Sequence, residues 1–171
     1  SIGGNSSGAI FDGKTITVDS GKTLNFRYNS EKALSIGNTR FDGSEGVVNF
    51  DADTTISGAV TGSATITIAA GKTITVSGAC SIANGISLAG AGAALVIESG
   101  GSATAPTSGN ADYVVLSSEE AGVITYYLGE KIDDAGYMDG TTAVITDTAV
   151  LICRLHIKMT VRLSVFYMKE I

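Results

Sequence analysis

Tryptophan is absent from the 171 residues, proline occurs once, histidine once and cysteine twice. Each scarcity excludes something. The two cysteines, Cys80 and Cys153, fit no metal spacing and no disulfide framework, although they could pair with each other. With His156 as the only histidine, no Ser/His/Asp or Cys/His catalytic set can be assembled. Charged residues make up only 16% of the chain. That is too few for a disordered segment, which is charge-rich and poor in β-branched apolar residues. No uncharged apolar run reaches the ~18 residues of a membrane-spanning helix, so no transmembrane segment is expected.

The net charge of −6 is uneven. Residues 1–150 hold 7 Lys/Arg against 16 Asp/Glu, a balance of −9, while residues 151–171 hold 4 (Arg154, Lys158, Arg162 and Lys169) against Glu170, a balance of +3. The acidic body argues against nucleic acid as a partner, because phosphates need a basic face. The chain starts at Ser1 and not at Met, as expected of a processed chain or a piece of a longer one. Asn5-Ser6-Ser7 matches a glycosylation sequon, which matters only in a eukaryotic secretory setting.

What the chain has is glycine, 22 in all, and short apolar runs rich in Thr, Ile and Val, with 44% hydrophobic residues. Runs of this kind, parted by Gly and Asn/Asp, predict an all-β chain. One unit is written twice, TITVDSGKTLNF from Thr15 to Phe26 and TITIAAGKTITV from Thr65 to Val76. In each, alternation puts Ile and Val on one face and Thr on the other. Gly21 or Gly71 supplies the positive φ of the turn between two strands.

Further short strands follow in Thr54–Val60, Cys80–Ile82, Gly85–Leu88 and Ala94–Ile97. Strands of three to five residues joined by corners of one to three suit a parallel β-solenoid, whose coils stack in register. The 50-residue offset between the copies would then be two coils of roughly 20–25 residues. Small residues (Ala59, Ala64, Ala79, Ala83, Ala89, Ala93) are expected to line a narrow interior. An antiparallel β-sandwich or jelly roll is the alternative.

TITVDSGKTLNF, TITIAAGKTITVSGA and LVIESGGSAT resemble the low-complexity coils of bacterial surface β-helix proteins, namely autotransporter passenger domains and related large adhesins. The resemblance spans about residues 12–104. It is one of style and carries over no functional residue, and the chain lacks that family's membrane-barrel domain. It implies a right-handed, extracellular or cell-surface β-helix of bacterial or phage origin, with an adhesive or display role.

The organisation expected is solenoid coils over 1–104, a capping β-hairpin region over 105–150 and a tail over 151–171. The boundary lies around Pro106, among small polar residues. Beyond it, Tyr113–Leu116 and Val123–Leu128 read as a hairpin closing the stack. Four of the six tyrosines (Tyr113, Tyr126, Tyr127, Tyr137) lie in this region. From Leu151 to Tyr167 apolar and basic or polar residues alternate. Such a strand could cover the acidic body, mediate self-association, or reflect a fragment boundary or shifted reading frame.

Candidate sites are sparse. Gly21-Lys22-Thr23 and Gly71-Lys72-Thr73 end like a P-loop, but the first glycine of that motif is replaced by Ile16 and Ile66, so the lysines read as corner residues. Thr15, Thr17, Thr65, Thr67, Thr73 and Thr75 could stack into flat surface-contact rows, a pattern that also resembles ice-binding solenoids. Asp133, Asp134 and Asp139 offer oxygen ligands for Ca²⁺ without matching a known loop spacing; no other cofactor is expected. Asp51, Asp53 and Arg40 are the candidates for polysaccharide cleavage, but no second acidic cluster falls at a coil offset. The sequence therefore predicts a non-enzymatic, structural or adhesive solenoid segment contacting a glycan or a protein surface. A carbohydrate-active or tail-spike-like fragment and an ice-binding solenoid remain as alternatives.

Overall fold

The computed structural model describes residues 11–27, 34–132 and 136–146. These form a β-solenoid of triangular section. Three strands make one coil, and each side of the triangle grows into a parallel sheet as coils stack. The first sheet runs β1 (Lys14–Thr17), β4 (Thr39–Asp42), β7 (Ala59–Gly62), β10 (Ala79–Ile82), β13 (Ser102–Ala103). The second holds β2 (Thr23–Arg27), β5 (Val47–Asp51), β8 (Thr65–Ile68), β11 (Ile86–Leu88) and β14 (Thr107–Ser108). The third holds β3 (Leu34–Ile36), β6 (Thr54–Ile56), β9 (Thr73–Val76) and β12 (Ala94–Ile97), and then continues into the cap.

The register fixes the coil length. On the third sheet Ser35 pairs with Thr55 and Thr55 with Thr75, a step of 20 residues each time. Elsewhere the step ranges from 18 (Val47 to Thr65) to 25 (Lys14 to Thr39), as corners shorten or lengthen. The 50-residue repeat is therefore not two coils. Its first copy spans β1 and β2, on the first and second sheets, whereas its second spans β8 and β9, on the second and third. The offset is two coils plus one side of the triangle. Each side poses the same demand, apolar residues in and short polar residues out, so the same words serve on different sides.

Glycine makes the corners. Asp19-Ser20-Gly21-Lys22 and Ala69-Ala70-Gly71-Lys72 close with Lys22 N–H to Asp19 O (3.0 Å) and Lys72 N–H to Ala69 O (3.1 Å). The third residue has φ +68° in the first and +69° in the second. Such a turn requires positive φ at that position, and glycine adopts it without a Cβ clash.

The interior is larger than alanine would fill. Ala64 and Ala93 are buried, but Ala59 and Ala83 are exposed, and Ala79 and Ala89 are half-covered. The lower coils are packed by aromatic rings. Phe26 stacks on Phe50 with centroids 4.8 Å apart, and Phe41 meets Phe26 edge-on at 5.9 Å. Above them Ile66, Ile68, Ile74, Ile86, Leu88 and Leu95 are completely or almost completely buried. The ring of Phe11 closes over Phe26 at 6.1 Å. Its backbone sits at φ +64°, which costs a bulky L-residue about 1–2 kcal/mol.

The far end is capped. β15 (Tyr113–Glu120) and β16 (Val123–Ile132) form an antiparallel hairpin. β16 pairs antiparallel with β12, through Leu95–Tyr126, Val96–Thr125 and Ile97–Ile124. The parallel ladder of the third sheet thus ends on a strand of opposite direction. β17 (Gly136–Asp139) and β18 (Thr142–Ile145) extend the meander from the far half of β16. The tail from Leu151 to Tyr167, His156, Cys153 and Asn5 lie outside the described residues.

Candidate contact faces

Each sheet turns alternate side chains outward, and the coil register stacks them into rows. On the second sheet Asn25, Asn49, Thr67, Ser87 and Thr107 form five successive rungs. Asn49 Nδ2 donates to Asn25 Oδ1 at 2.9 Å, so the two amides start a ladder. The neighbouring row carries Arg27 over Asp51, an ion pair of 3.2 Å. On the third sheet Ser35, Thr55, Thr75, Val96 and Thr125 form a second five-rung row. On the first sheet Thr15, Arg40, Thr61 and Ser81 form a third. Adjacent rungs stand ~4.8 Å apart.

The six threonines singled out from the sequence do not stack on one another. Thr15 and Thr17 belong to the first sheet, Thr65 and Thr67 to the second, and Thr73 and Thr75 to the third. Each threonine pair contributes to a row on its own side. Asparagine and serine complete the second-sheet row, whereas Arg40 enters the row on the first sheet and Val96 that on the third. The doublet Asn25-Phe26 and Asn49-Phe50 was the available signal. It places the same two residue types on the outer and inner face one coil apart.

The acidic candidates also separate. Asp51 ends β5 and faces Arg27, whereas Asp53 lies in the next corner and its Oδ1 accepts the Thr73 N–H at 2.9 Å. Arg40 is on the first sheet, its Nε 2.8 Å from Asp42 Oδ2. Asp51 is thus a strand residue, and Asp53 a corner residue. Asp139 accepts a hydrogen bond from the Tyr127 hydroxyl at 3.0 Å. That bond, more than burial or charge, pushes the Tyr127 pKa up. Asp133 and Asp134 lie outside the described residues. Among the described residues, no group of three or more His, Cys, Asp or Glu could hold a metal ion. No helix among them is long and apolar enough to cross a membrane. Lys22 and Lys72 follow corner glycines, as expected.

The corners carry their own polar rails. At the corner between the third and first sheets, Asp12 Oδ1 accepts from Asn38 N–H (2.8 Å) and Nδ2 (3.0 Å), and Asn38 Oδ1 accepts the Ala59 N–H at 3.0 Å. The serines Ser57 and Ser77 repeat one bond, each Oγ donating to the carbonyl of Ile36 or Ile56 one coil below. Cys80 points inward and is buried, and burial pushes its thiol up to about 12. A thiol so placed is a packing group and not a nucleophile.

No family model, curated protein or solved structure matches the chain.

Proposed function

We propose that this chain is a secreted or cell-surface structural segment, a stiff stack of coils whose outward rows and corner loops bind a glycan, a host surface or a neighbouring subunit. The observation that carries this is the unbroken second-sheet row Asn25–Asn49–Thr67–Ser87–Thr107. It presents amides and hydroxyls on short stems at a fixed spacing, held by a core that leaves the sheet little freedom to bend. Such a row supplies donors and acceptors together, which is what polyhydroxylated ligands require. Preset geometry reduces the ordering cost of binding. The low charge content and the adhesin-like style of the repeats support an extracellular setting.

The test uses the full chain immobilised against an array of bacterial and host polysaccharides and intact cells. Retention is expected, and it is expected to fall at least ~10-fold when Thr67→Arg and Ser87→Arg place long side chains across the row. Binding that these substitutions leave intact, or a folded chain that retains none of the panel, would contradict the proposal.

A further inference from the structure

The corner between β10 and β11 reads Ile82-Ala83-Asn84-Gly85 and holds the only Asn-Gly pair of the sequence. Asn84 is exposed, yet its side-chain amide is doubly bound. Nδ2 donates to the carbonyl of Ser44 at 2.5 Å and to that of Ser63 at 2.6 Å. Ser44 lies in the corner between β4 and β5, and Ser63 in that between β7 and β8. One side chain therefore clips three successive corners of the same edge. Gly85 is equally committed. Its N–H donates to Ile82 O at 3.1 Å, its carbonyl accepts from Ile66 N–H at 3.2 Å, and its φ is +83°.

An asparagine followed by glycine is the sequence most open to backbone attack, because no Cβ shields the glycine nitrogen. We propose that Asn84 is a site of spontaneous deamidation that the folded stack holds closed, and whose reaction unclips the three corners. Gly85 N loses its proton and forms a bond to Asn84 Cγ. The Cγ–Nδ2 bond breaks, and Nδ2 takes a proton and leaves as ammonia. Water then opens the five-membered imide at either carbonyl to give aspartate or isoaspartate, with no redox change. In the folded corner the attacking nitrogen is held in the turn and the leaving nitrogen is anchored to two carbonyls, so the corner must open first. Afterwards an anionic oxygen stands where a donor stood, opposite two carbonyl oxygens. Acceptors then face acceptors and the clip does not re-form.

The experiment incubates the full chain at mildly alkaline pH, native and in concentrated urea. Peptide mass mapping follows the gain of about one mass unit at position 84 and resolves isoaspartate. Asn84 is expected to react first among the asparagines in urea, and at least ~10-fold more slowly in the native chain. The native rate should follow the exchange rate of the Gly85 amide hydrogen as urea is raised. Asn84→Asp is expected to melt lower than the parent, or to fail to fold. Equal native and unfolded rates at Asn84, or an Asn84→Asp chain that melts with the parent, would overturn the proposal. The rate comparison needs no variant.

Discussion

At the scale of single residues, glycine has two separable jobs in this molecule. Gly71 is needed for its φ of +69°, and a Cβ there would meet nothing within 4 Å. Gly78 has ordinary φ, but a Cβ there would lie 2.3 Å from the carbonyl oxygen of Gly58, in the coil beneath. Gly71→Ala is expected to cost about 1–2 kcal/mol of backbone strain. Gly78→Ala is expected to cost more, about 2–4 kcal/mol, because two backbones must part and the corner rail with them. Urea unfolding of both variants checks the order; equal losses would mean that coils do not approach this closely. Cys80 gives a pH signature. Its folded-state pKa of about 12 lies above its ordinary 9.0, so the folded chain keeps a proton that the unfolded chain loses. Its stabilising contribution is complete below pH ~9 and is lost as pH rises toward ~12, up to about 4 kcal/mol. Unfolding followed from pH 8 upward should lose stability more steeply in the parent than in Cys80→Ala.

At the scale of elements, the cap is what covers the edge of β12, the last strand of the parallel ladder on the third sheet. Ile124, Tyr126 and Leu128 of β16 pack against the core. Ile124→Glu is expected to cost about 2 kcal/mol and to expose β12 as an edge strand that associates with other copies. Size-exclusion chromatography over a concentration series should show this. An exposed position on the partner strand, Ser117→Lys, should leave elution unchanged. Much of this layer is written in the sequence. Strict alternation marks β8 and β9, a short apolar run ahead of Glu98-Ser99-Gly100-Gly101 marks β12, and the change of composition after Pro106 marks the hairpin. Other parts are hidden for physical reasons. In Thr54–Val60 a Ser-Gly corner takes so few residues that two strands on different sheets read as one. Val47–Asp51 was masked by its own outward polar residues, Asn49 and Asp51, which look like turn formers until Asn49 is seen opposite Asn25.

At the scale of the whole molecule, the triangular stack accounts for both the repeat and its misleading length. Three chemically alike sides let one strand–corner–strand phrase recur out of phase with the coils. Matching identical residues therefore finds the phrase but not the period. The same fact separates the six threonines onto three sides and leaves the mixed Asn/Thr/Ser row as the longest polar face. The 20-residue register is the central claim, and backbone nuclear Overhauser contacts in the isotopically labelled chain test it most directly. Contacts are expected between Thr55 and Thr75 and between Thr75 and Val96, in the pattern of parallel neighbours. None is expected between Thr17 and Thr67. Contacts joining Thr17 to Thr67, or antiparallel contacts between β6 and β9, would contradict the triangular stack.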